Sequence, residues 1–144
     1  MESSLTDIAR VIQLAVAPVF LLTAIATMIN ALNTRLGRIV DRRRVVQERL
    51  QTRTPDEAEA THWEISTLVR RSRLVYYAIF CAVLSALLVC LVVAGAFLGA
   101  LLGVDLARGV AALFIAAMLA MIAGLGLFLR EVYLAVRTGT HNQP

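Results

Sequence analysis

Lysine is absent from the 144 residues, so all fourteen basic side chains are arginine. Histidine, cysteine, proline and tryptophan are scarce, and these shortages exclude whole classes of chemistry. The two cysteines, Cys81 and Cys90, lie about 180° apart on one helix, so they neither bridge each other nor share a metal. Of the two histidines, His62 falls in a charged stretch and His141 in a polar tail. Paired catalytic acids, a GxSxG elbow, a phosphate-binding glycine loop and metal-ligand spacings are all missing. The reading is therefore non-enzymatic, with no cofactor and no metal. Aromatic interleaving of the basic residues is also missing, which argues against nucleic acid as a partner.

Charge itself is in short supply, at 17 % of residues against 59 % hydrophobic, where soluble domains carry about a quarter charged. The shortage is concentrated in three runs, residues 11–34, 74–104 and 109–129, which contain no charged side chain. Each exceeds the roughly 18 apolar residues that mark a bilayer-spanning helix. No carboxylate lies inside any of them, which excludes an intramembrane protease or proton relay built on an acid.

Ten arginines, from Arg35 to Arg73, crowd the segment between the first two runs. By the positive-inside rule that segment is cytoplasmic. The N-terminal stretch, with Arg10 against Glu2 and Asp7, and the short link holding Asp105 and Arg108 then lie outside, and the C-terminus inside. Tyr76, Tyr77 and Tyr133 fall at the inner interface, where amphipathic rings settle. The expected fold is an all-α inner-membrane protein. A short outside N-terminus and span occupy 1–34, and a cytoplasmic antiparallel helical hairpin occupies 35–73, turning near 53–55. A second span follows at 74–103, an outside loop at 104–108, a third span at 109–130 and a cytoplasmic tail at 131–144.

The hairpin turn is marked by Thr54-Pro55-Asp56-Glu57, which has an N-cap threonine, proline at the first helical position and a glutamate suited to a capping box. Leu32, Leu36, Ile39, Val46 and Leu50 form one apolar stripe and Ala58, Ile65, Leu68, Val69 and Ser72 the facing one. Trp63 points about 160° away from the second stripe and is a candidate for contact with another protein. In the spans, Gly95, Gly99 and Gly103 form GxxxG steps, and Ala112, Ala116, Ala120 and Gly124 a small-residue ladder; both read as helix-packing positions.

The first span carries the most informative pattern. At 100° per residue, Thr23, Thr27, Asn30, Thr34 and Asp41 share an arc of about 60°, with Arg38 on the same side. The opposite side holds Leu21, Ile25, Met28 and Leu32. Polar groups in hydrocarbon need a partner or water. Two arrangements supply one: several copies turn this face toward a narrow aqueous path, or the face packs dry against neighbouring helices. Pro18 in the same span is a candidate hinge, and Arg42, Arg43 and Arg44 beyond it are candidates for anionic lipid or a partner.

Residues 17–44, APVFLLTAIATMINALNTRLGRIVDRRR, resemble the start of a bacterial family of small three-span membrane proteins known only as a domain of unknown function. The likeness rests on Pro18, the small and hydroxylated run after it, Asn33 with Arg35, and Asp41-Arg42. It implies the same three-span plan in an inner membrane, and no established activity or catalytic residue. The functional expectation is a small homo-oligomeric channel or transport pore lined by the first span. Its rival is a non-conducting scaffold or accessory subunit whose hairpin binds a cytoplasmic protein or anionic lipid.

Overall fold

The structure, a computed structural model, describes residues 2–52 and 54–139, with side chains for 5–52, 54, 55 and 58–137. Three helices account for nearly all of it: α1 over Glu2–Leu50, α2 over Pro55–Leu102 and α3 over Ala107–Gly139. No strand occurs among the described residues. Each helix contains a stretch long and apolar enough to cross a membrane. Most residues of these stretches are not buried, and Phe20, Phe80, Leu101 and Ile122 stand largely exposed. In water such surface would drive aggregation, whereas lipid accepts it without cost. The chain is a multi-pass membrane protein.

Helical contacts divide the chain into two compact units. The first comprises Met1–Ile29 and Cys81–Ile122. Its centre is Ile25 of α1, Ala82 and Val89 of α2 and Ala117 of α3, all fully buried. Leu21, Met28, Ala86 and Met118 pack against them. The buried Ser85 donates its hydroxyl to the Ala117 carbonyl at 2.8 Å, tying α2 to α3. The small side chain of Ala117 leaves that carbonyl open to a neighbouring helix.

The α2–α3 connection settles the roles of the glycines. Gly103 has φ +64° with no atom within 4 Å of where a Cβ would stand, and Val104 N donates to Gly99 O at 3.2 Å. This is a Schellman ending, in which the left-handed residue after the helix closes the last carbonyls. The sequence reading of Gly103 as a packing position is thus corrected: it stops the helix. Gly95 and Gly99 do allow close approach, since a Cβ would come within 3.2 Å of Val110 Cγ2 and of Val104 O respectively. Asp105 starts α3 by accepting Ala107 N–H at 3.1 Å.

The second unit comprises Asn30–Phe80 and Ala123–Pro144. Leu32, Ile39 and Val46 of the expected α1 stripe are buried in it, with Leu36 and Leu50 half-buried. Of the expected α2 stripe Leu68 is buried and Ala58, Ile65, Val69 and Ser72 are half-buried, while Val75 and Ala78 further along α2 are fully buried. Thr61 is buried as well, although its polarity hid it from the apolar pattern. The turn closes through Gln51 N to Glu48 O at 3.3 Å and Thr52 N to Arg49 O at 3.2 Å. Thr54 O then accepts Ala58 N at 3.1 Å, so α2 starts at Pro55. The Asp56 and Glu57 side chains of the expected capping box, and His141, lie outside the described residues.

α3 runs on to Gly139, well past the expected span end at 130. After Gly126 the sequence offers no glycine or proline until Gly139, so nothing stops the helix earlier. What had read as the start of a tail, Glu131, is therefore held on a rigid helix.

Candidate functional site

Glu131 lies in the second unit and is fully buried. Arg35 of α1 donates Nη1–H to its Oε2 at 3.0 Å, and Arg71 of α2 donates Nη2–H to its Oε1 at 2.9 Å. Three helices are thus joined through one carboxylate, with a guanidinium on each oxygen. A buried carboxylate is tolerated only when paired and hydrogen-bonded, and this one is both. Phe128, one turn earlier on α3, places its ring 5.1 Å from the Arg35 guanidinium carbon, a cation–π distance. Together Glu131 and Phe128 fix the direction of Arg35.

Beside this cluster is a cavity of about 320 Å³. Arg35, Arg38, Arg42, Arg71 and Glu131 line it, with Ile39 and Leu68 supplying the apolar part of the wall. Arg42 is held by Glu64, whose Oε1 accepts from Nη2 at 2.9 Å and from Nε at 3.2 Å. Arg38 is exposed and makes no hydrogen bond or ion pair among the described residues. The Arg71 Nε is buried without a partner. Helical periodicity explains the convergence: Arg35, Arg38 and Arg42 are spaced three and four residues apart, so they share one face of α1.

The polar side of α1 is described separately in each unit. In the first, Thr23 and Thr27 are exposed, and their hydroxyls donate to Val19 O at 3.2 Å and Thr23 O at 3.0 Å. In the second, Asn30, Thr34, Arg38 and Asp41 are all exposed, with the Thr34 hydroxyl on Asn30 O at 3.0 Å. All three threonines satisfy their hydrogen within their own helix, whereas the Asn30 side-chain amide has no partner among the described residues.

The remaining candidates fall as follows. Pro18 is half-buried within an uninterrupted α1. Arg42 and Arg44 are exposed, and Arg43 is half-buried with its Nε unpartnered. Trp63 is 66 % exposed. It lines a second cavity, of about 290 Å³, with Ser66, Thr67, Arg70, Arg71 and Leu134. The α3 ladder differs in exposure along its length. Ala112 and Ala116 are exposed, and Ala120 is half-buried. Within the part of α3 in the first unit the fully buried small residue is Ala117, one position and about 100° further round than Ala116. Gly124, in the second unit, is buried.

The Glu131 cluster is what the sequence reading missed. The available signal was a lone carboxylate one residue past Arg130, with arginines at equivalent depth on the other two helices.

The three-helix plan and its apolar spans define a small multi-pass membrane protein. The chain belongs to the family of proteins of unknown function DUF2721, whose model it matches over residues 15–140. No curated protein and no solved structure matches it.

Proposed function

We propose that the protein is a small homo-oligomeric channel or transport pore of a bacterial inner membrane, lined by the polar side of α1. In this reading the N-terminus is outside, and the hairpin and C-terminus are cytoplasmic. It performs no catalysis and needs no cofactor. The observation that carries the proposal is Asn30: a side-chain amide with no partner among the described residues, exposed on the polar side of α1 within an uncharged run. In hydrocarbon an unsatisfied amide costs several kcal/mol, so it requires water or a second copy of the chain. Thr27 and Asn30 replaced together by leucine should abolish ion flux in proteoliposomes; undiminished flux overturns the reading.

A second reading draws on the threonines. Because each hydroxyl hydrogen is bonded within α1, that face can pack dry, as in a non-conducting scaffold or accessory subunit. Its docking surfaces are then Trp63 and the arginines Arg42, Arg43 and Arg44, facing a cytoplasmic protein or anionic lipid. Trp63→Ala should abolish capture of that protein while membrane insertion is retained.

A further inference from the structure

We propose that the arginine-lined cavity of the second unit binds a phosphate-bearing anion. The first ground is uncompensated charge. Four guanidinium groups line the cavity against one carboxylate, Glu131, and even when Glu64 is counted two positive charges stay unbalanced. Glu131 is fully buried and bonded to Arg35 and Arg71, and none of its bonds goes to Arg38 or Arg42.

The second ground is preorganisation. Glu131 holds Arg35 and Arg71 through one terminal nitrogen each, Phe128 adds a contact to Arg35, and Glu64 holds Arg42. A guanidinium carries five N–H donors, so most of those around the cavity are unengaged. Rigid guanidinium forks match phosphate oxygens bidentately, and several converging forks suit a tetrahedral oxyanion better than a carboxylate, which one or two would saturate. The volume leaves room for a phosphate and part of the group it is esterified to.

The third ground is depth. Arg35 is the first charge after the run 11–34, Arg71 lies three residues before the run 74–104, and Glu131 lies two residues after the run 109–129. All three helices therefore reach the cavity at the edge of their apolar stretches, the level of lipid phosphates. A phospholipid headgroup and a soluble phosphate ester present the same chemistry here.

The test uses the full chain in neutral detergent, with inorganic phosphate followed by calorimetry and phosphatidic acid in mixed micelles followed by native mass spectrometry. Saturable binding of at least one probe is expected. Arg38→Gln removes a guanidinium that has no protein partner, so the fold is retained. It should weaken binding about tenfold, the loss of one charge-assisted contact. Arg49→Gln, on the exposed surface outside the cavity lining, should change it less than about twofold. Binding of inorganic phosphate assigns a soluble source, and binding of phosphatidic acid alone assigns a lipid source. Absence of binding by both probes overturns the proposal. So does wild-type affinity in Arg38→Gln, or an equal loss in Arg49→Gln, which would reduce the effect to general surface charge.

Discussion

Glu131 Oε2 accepts a hydrogen bond from Arg35 Nη1 at 3.0 Å across 96 residues of sequence. With the matching bond from Arg71 it makes one carboxylate the meeting point of α1, α2 and α3 in the second unit. Removing the acid would leave two guanidinium groups without their partner, Arg71 only 20 % exposed. Loss of one member of a buried pair costs about 3–5 kcal/mol, reduced here because Arg35 is 40 % open to solvent. Glu131→Ala should therefore destabilise by about 2–3 kcal/mol, measured by denaturant unfolding in micelles. Glu64→Ala, breaking a pair exposed on both sides, should cost less than about 1 kcal/mol. Equal losses would mean that Glu131 is not the anchor its burial indicates.

The Ser85 hydroxyl is the described polar tie between α2 and α3 in the first unit. Interhelical bonds of this kind in membranes average about 0.6 kcal/mol. Ser85→Ala should lower stability by that order, and Ser85→Leu by more, since the fully buried site has no space for the added atoms. Unfolding of both variants in the same detergent checks the order.

The glycines should separate by role. Gly103→Ala forces a left-handed φ on a side chain and should cost about 1–2 kcal/mol despite the open space around it. Gly37→Ala, inside α1 with nothing near its Cβ, should stabilise by about 0.5–1 kcal/mol. Opposite signs of the two shifts in unfolding midpoint are the expected result.

Three uncharged runs made the three spans legible, because bilayer thickness sets a length that composition alone can satisfy. The hairpin was legible for a related reason: Leu32, Ile39 and Val46 repeat at the helical period and are buried accordingly. Glu131 was not, since a charge count along the chain cannot show that Arg35 and Arg71 converge on it. Nor was the distinction between Ala116 and Ala117, both small and both apolar, which differ only in which way α3 is turned. Gly103 fitted a GxxxG spacing as well as a helix stop, and only its positive φ separates the two.

Water access to the polar side of α1 tests the functional reading most directly. Single cysteines at Thr23, Thr27, Asn30, Ile25 and Met28, in a background lacking Cys81 and Cys90, are exposed to a charged, membrane-impermeant thiol reagent in native membranes. Labelling at 23, 27 and 30, with none at 25 and 28, is the result a water-filled path predicts. Protection at all five, in a preparation with demonstrated ion flux, would contradict it.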